Sequence, residues 1–173
     1  MESQSQPPDD PTAHSGTDHH PTVHRYETHL SWDGSTGVGY DDYERAHHAT
    51  AAGAEQALEL SSHPAFRGDP RLLDPEQLLV LSASSCQLLS FLAIAARARL
   101  DVVSYRDDAV GLMPERDDRG TWITEIHLAP HIELRGDVPV AKVARLVELA
   151  HRECYIANSL RTEVIVEPTI TCS

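Results

Sequence analysis

Two cysteines are the residues best suited to chemistry. Cys86 and Cys154 each fall at an apolar position in a stretch with helical spacing, and the chain of 173 residues carries one further cysteine, Cys172. Where two such helices pack together, their Cα atoms can come within the roughly 7 Å that a disulfide spans. Such a pair would suit a nucleophile and its resolving partner. The plain alternative is that both are core fillers, since a buried thiol behaves as a small hydrophobe. Cys86 lies too deep in its helix for the positive end of the macrodipole to reach it. Burial alone would raise its pKa. A reactive Cys86 therefore needs a cation from another segment. Arg67, in the loop before the helix, is best placed, and Arg45 is second.

The element that must position Cys86 is Asp74 to Arg97, DPEQLLVLSASSCQLLSFLAIAAR. Asp74 as N-cap, Pro75 at the first helical position and Gln77 at the capping-box spacing predict its start. It is apolar on almost every face, which predicts a central helix buried on several sides. Its serines and Gln87 interrupt the run that a membrane span would need. A second amphipathic helix is expected from about Val138 to Ala157, with Val143, Val147, Ala150, Cys154 and Ala157 on one face.

Strands are expected elsewhere. Tyr26 to Trp32 alternates as a half-buried strand, and Asp33-Gly34 and Gly37 supply a turn. Further strands are expected at Val38–Arg45, Gln56–Leu60, Leu100–Leu112, Thr121–Leu134 and Arg161–Pro168, with a turn at Asp117, Asp118 and Gly120. Pro130 should bend its strand or mark an edge. The order β-β-β-α-β-β-α-β predicts an α+β domain, its helices packed on antiparallel sheet. Residues 1–22 read as a disordered His- and Pro-rich tail and 23–170 as one domain.

A net charge of -13 argues against a nucleic-acid partner. The cysteines are too few for a secreted disulfide scaffold, and no signal-peptide pattern opens the chain, so a soluble cytoplasmic protein with no membrane partner is expected. His14, His19, His20 and His24 lack anything to fix a metal geometry. His47, His48 or His151 with a cysteine is a further metal reading, His151 sharing the helix face of Cys154.

The ordered set of motifs resembles the OsmC/Ohr family of thiol peroxidases from about Val23 to Pro168. It consists of Phe66-Arg67-Gly68-Asp69, the opening Asp74-Pro75-Glu76-Gln77-Leu78-Leu79, Ser84-Ser85-Cys86 and Ala150-His151-Arg152-Glu153-Cys154. The chain looks closer to the OsmC branch. Its first turn, Trp32-Asp33-Gly34-Ser35, lacks the arginine that Ohr carries there, and Arg67 stands within one residue of the OsmC position. The resemblance implies antiparallel sheets around two central helices and an intertwined homodimer with active sites at the subunit interface. It implies reduction of organic hydroperoxides by Cys86, with Cys154 as resolving cysteine and Arg67 and Glu76 activating the nucleophile. No cofactor is implied beyond an external dithiol reductant, commonly a lipoyl group. Leu79, Leu89 and Phe91 would favour an alkyl or aryl peroxide. A non-catalytic member binding a small apolar ligand in the same cleft is the alternative. Glu76 and Cys86 stand roughly 15 Å apart along an α-helix. Either the helix is interrupted, or the Glu and Arg near a given Cys86 come partly from the other subunit, the option favoured here.

Overall fold

The structure is a computed structural model that describes residues 23–115 and 120–173. The expected tail and most of the expected turn at Asp117 and Asp118 lie outside the described residues.

The central helix, α1, runs Pro75–Arg97 without interruption. Its start is the expected one. The Asp74 carboxylate accepts the Gln77 N–H at 2.7 Å, and the Asp74 N–H donates to the Gln77 side chain at 3.2 Å. It ends where Arg99 turns left-handed, at φ 57, and the Leu100 N–H returns to the Ala95 carbonyl at 3.0 Å. One face is buried, through Ala83, Gln87, Phe91, Ile94 and Ala95. The opposite stripe is open, with Leu81 55%, Leu89 63% and Leu92 37% exposed. Burial on several sides is thus not reached within one chain. The length and composition of α1 would allow a membrane span. Its neighbours are α2, α3, β4, β5 and β6, described next, which is the setting of a core helix.

Six strands follow α1 or flank the second helix: β4 Asp101–Asp107, β5 Val110–Leu112, β6 Glu125–Leu128, β7 Pro130–Arg135, β8 Glu163–Val166 and β9 Thr169–Cys172. They form two three-stranded sheets, β4-β7-β9 and β5-β6-β8. These are one strand trio bent in the middle. The parallel register runs unbroken from Glu125↔Glu163 through Leu128↔Val166 and His131↔Thr169 to Leu134↔Cys172. Pro130 and Pro168 therefore stand level at the bend. Neither has an N–H to give, so the ladder opens there and the sheet can fold over the helices. The expected strands at Leu100–Leu112 and Thr121–Leu134 are each two shorter ones, and Pro130 does mark a bend. The strand expected to end at Pro168 resumes as β9. The β6–β8 and β7–β9 pairings are parallel, the others antiparallel. The parallel return is made by α2, Val140–Glu153, as a crossover between β7 and β8.

The second helix is shorter than expected. Cys154 adopts an extended backbone, φ −71 and ψ 109, and α3, Tyr155–Ser159, starts afresh after it. One core cluster joins Phe91, Ile94 and Ala95 of α1 to Ile132, Leu134, Val143, Val147 and Ala150. A second joins Ala83 to Ile123, Ile126 and Leu128.

The N-terminal sheet holds β1 Thr28–Ser31, β2 His47–Ala51 and β3 Ala57–Leu60, antiparallel throughout. The strand expected at Val38–Arg45 is not formed. A short 3-10 turn at Thr36–Val38 opens a loop instead, and β2 follows in the small-residue stretch. Arg45 explains the loop. It is 8% exposed, its guanidinium lies 3.8 Å from the Tyr43 ring centroid and 5.1 Å from that of Tyr40, and it donates to the Tyr40 and Tyr43 carbonyls. A straight strand would point those carbonyls sideways to a neighbour. Every residue of β1 is exposed, Leu30 by 69%, so the expected half-buried strand has no core to meet within one chain.

Candidate active site

Cys86 is half-buried and lines a cleft of about 770 Å³ between α1 and the α2–α3 junction. Leu89 and Ala93 continue the wall along α1, Tyr155 and Ile156 face them from α3, and Arg97 and Arg152 are the cleft's cations. Cys154 is 1% exposed. Its position at the break between α2 and α3 turns the thiol inward, where the Ala157 N–H donates to Sγ at 3.5 Å. Both thiols are free, and Cys86 lies near enough to Cys154 to act on its titration. Burial, and then the neighbouring Cys86, push the Cys154 thiol up to about 11. The buried thiol therefore keeps its proton at neutral pH.

Gln87, 1% exposed, donates from Nε2 to the Val147 carbonyl at 3.2 Å and so ties α1 to α2. Its Oε1, the Tyr105 hydroxyl and His151 Nδ1 are buried without a hydrogen-bond partner among the described residues. Tyr105 packs on Phe91, ring centroids 6.1 Å apart. Burial first, then the charges of Asp107 and Cys154, raise the Tyr105 phenol well above its ordinary value.

Arg67 and Glu76 are not brought to Cys86 by their own chain. Arg67 follows the 3-10 turn Pro64–Phe66 with a left-handed backbone, φ 68. Its Nη2 pairs with Asp41 at 2.7 Å and its side chain is 52% exposed. The next residue must be glycine, because a Cβ on Gly68 would sit 1.5 Å from the Ser62 carbonyl oxygen. Glu76, in the first turn of α1, lines a different cavity of about 1240 Å³ with Phe66, Val80, Leu81 and Met113. Arg45 is committed to its tyrosines. His47 bonds the Arg45 carbonyl through Nδ1 at 2.8 Å, and His48 stands 4.0 Å from Glu59. No group of three or more His, Cys, Asp or Glu side chains converges on a metal position among the described residues. Of the apolar residues expected to face a substrate, Leu89 does. Phe91 belongs to one core cluster, and Leu79 packs against the other.

The family model for OsmC-like proteins matches residues 68–169, which takes in Glu76, Cys86 and Cys154 and begins one residue after Arg67. This chain belongs to the OsmC-like family. An OsmC-like protein of unknown function from Vibrio cholerae shares 30% identity with it, at a TM-score of 0.78, over 85% of this chain and 100% of the other. An organic hydroperoxide resistance protein OsmC from Legionella pneumophila shares the fold at 15% identity and a TM-score of 0.62, over 87% and 99% of the two chains. One from Elizabethkingia anophelis, solved with thiocyanate bound, does so at 17% and 0.61, over 88% and 99%. No curated protein matches the chain.

In this OsmC-like chain the residues that sequence reasoning missed are Tyr105, Arg97 and Arg152. Gln87 was visible as a polar residue in an apolar helix. That flaw in the pattern was the available signal for a buried polar contact. Nothing in a strand reading of Leu100–Leu112 distinguishes Tyr105 from its neighbours. Cys172, the third cysteine, is part of the fold. It lies on β9 and its thiol donates to the Val138 carbonyl at 3.3 Å, away from the other two.

Proposed function

We propose that this OsmC-like protein is a thiol-dependent peroxidase that reduces organic hydroperoxides to alcohols. The observation that carries the reading is the thiol pair, a half-exposed Cys86 in a partly apolar cleft with a buried, protonated Cys154 against it. The Cys86 thiolate attacks a peroxide oxygen, the O–O bond breaks, the alcohol leaves, and Cys86 becomes a sulfenic acid. Cys154 then attacks that sulfur. Its proton goes to the departing hydroxide, water leaves, and the disulfide forms. A dithiol, with a lipoyl group as the natural candidate, restores both thiols.

Arg67 and Glu76 are assigned to the partner subunit's side of each site. With α1 uninterrupted, Glu76 and Cys86 of one chain cannot share an arginine. In a homodimer, placing the partner subunit's Glu76 opposite Cys86 also places Glu76 opposite the partner subunit's Cys86. The two-fold axis then passes by the residue midway between, Leu81, which is 55% exposed in the single chain. The open stripe of α1 and the exposed sheet β1-β2-β3 are the surfaces such a dimer would cover. Full burial of a leucine is worth about 1.5–3 kcal/mol.

Single-turnover reaction with cumene hydroperoxide tests the function. Wild type should lose two countable thiols per chain, Cys86→Ser should consume no peroxide, and Cys154→Ser should keep the first turnover and lose recycling by dithiothreitol. A first-turnover rate in Cys86→Ser equal to that of wild type would sink the assignment. The second reading, a binder of small apolar ligands, draws on the larger cavity beside Val80, Leu81 and Met113. It predicts that all three thiols remain after peroxide treatment.

A further inference from the structure

The wall around Cys86 is more polar than an alkyl or aryl peroxide needs. Ser82, Ser85 and Ser90 stand on its α1 side and Asn158 on its α3 side. The more apolar lining belongs to the other cavity, beside Val80, Leu81 and Met113. Cys154 is 1% exposed and takes no part in the cleft wall, so a reductant in the cleft meets the disulfide at Cys86.

The cleft also differs in charge from the chain around it. The chain carries a net charge of -13, yet the cleft holds two arginines, Arg97 and Arg152, against one acid, Glu153. Each arginine stands in the last turn of its helix, α1 or α2. Neither guanidinium has an ion pair or a hydrogen bond among the described residues. Arg97 comes three helical turns after Cys86, so the two share one face of α1, about 16 Å apart along its axis. Side chains on a helix lean toward its N-terminus, which tilts Arg97 toward the thiol. Leu89 and Ala93 lie between them on the wall. That span suits a molecule with a sulfur at one end, a carboxylate at the other and an apolar link of about five to seven atoms, met by an arginine reaching back.

We propose that the Cys86 cleft selects a carboxylate-bearing thiol as reductant, with Arg97 and Arg152 receiving its carboxylate. The reductant's thiolate attacks Cys86 Sγ, the S–S bond breaks, and the electron pair leaves on Cys154, which takes up a proton. The reductant's second thiolate then attacks its own sulfur in the mixed disulfide and releases Cys86, which is protonated in turn. The reductant departs as its cyclic disulfide, and two electrons and two protons have passed to the protein. A lipoyl group joined to a carrier through an amide has no carboxylate left, so the free acid and its amide are the contrasting probes. This inference rests on the thiol-pair reading above, and its test is arranged to fail separately.

Protein oxidised with diamide is reduced with dihydrolipoate or with dihydrolipoamide, which share the dithiol and differ in the carboxylate, and thiol release is followed. The readout is the ratio of the two rates. Arg97→Gln and Arg152→Gln should each lower that ratio about threefold and together about tenfold, in the range of exposed ion pairs. Added salt should lower it in wild type. Arg106→Gln removes the same charge from β4, where Arg106 pairs with Glu133, and should leave the ratio alone. The sedimentation mass should be the same in all of these proteins. An unchanged ratio in the double variant would overturn the proposal. So would an equal fall in Arg106→Gln, which makes the effect one of net charge, or a changed mass, which makes the arginines a subunit contact. A double variant that keeps the ratio but consumes a carboxylate-bearing hydroperoxide more slowly, relative to cumene hydroperoxide, would assign the arginines to the substrate and sink the proposal as well. If diamide forms no disulfide, the thiol-pair reading fails on its own. Carboxylate recognition is then decided in a Cys154→Ser, Cys172→Ser background, by the exchange of Cys86 with dithiobis(nitrobenzoate), which carries carboxylates, against neutral dithiodipyridine. Removing both arginines should lower that ratio about tenfold, and an equal ratio overturns the recognition.

Discussion

The two ends of α1 differ in how completely one chain furnishes them. Around Cys86, α1, α2 and α3 supply both thiols and the buried Gln87 bridge. Around Glu76 there is a cavity, an exposed Leu81, and an Arg67 turned toward Asp41. A disulfide needs its two sulfurs fixed to within a few tenths of an ångström, and one chain's core can provide that. An activating charge tolerates a longer and softer placement, so it can be delivered across a symmetry axis. The redox couple should therefore belong to the monomer, and the peroxidase activity to the dimer.

Breaking the dimer is the severest test of that contrast. Leu81→Glu places a charge by the inferred axis. The expected result is a sedimentation mass near 19.1 kDa, peroxide reduction at background, and a Cys86–Cys154 disulfide that diamide still forms. A monomer with full peroxidase activity would show that one chain holds the whole site.

A milder test removes the charge and leaves the dimer. Arg67→Met should slow Cys86 alkylation near neutral pH by at least about tenfold, equivalent to about 1.4 kcal/mol. It should cut peroxide turnover by at least as much. Arg45→Met should lower the melting temperature, since it releases Tyr40 and Tyr43, and leave the alkylation rate alone. If Arg45→Met slows alkylation and Arg67→Met does not, the cation comes from the N-terminal loop.

The smallest effect concerns only where α1 begins. Asp74→Ala loses the capping box and should cost about 1 kcal/mol in a denaturation experiment. Alkylation of Cys86, three turns further on, should be unchanged. A changed rate would mean that the two ends of the helix are mechanically linked.

The fold was legible where local chemistry is decisive. The cap at Asp74, the course of α1 and the buried face of Val143, Val147 and Ala150 follow from spacing alone. The bend of the strands was half legible, because Pro130 announces it but its pairing with Pro168 is a property of register. The loop around Arg45 was not legible, since the seating of its guanidinium against the Tyr40 and Tyr43 rings is a contact that residue spacing does not announce. In the site, the two cysteines were readable from helical phase, and their proximity is what the fold adds.

Arg67 carries a last consequence. A side chain on a left-handed backbone gives up about 1 kcal/mol relative to glycine. The neighbouring Gly68 shows that the turn is too tight to relax. Selection for thermal stability alone would put glycine at both positions. A library screened that way should drift toward Arg67→Gly, which on the proposed function would remove the activating charge in the same step. If the proposed function holds, consensus engineering of this protein needs a peroxide screen beside the heat step, or the variants it keeps will be durable and inert.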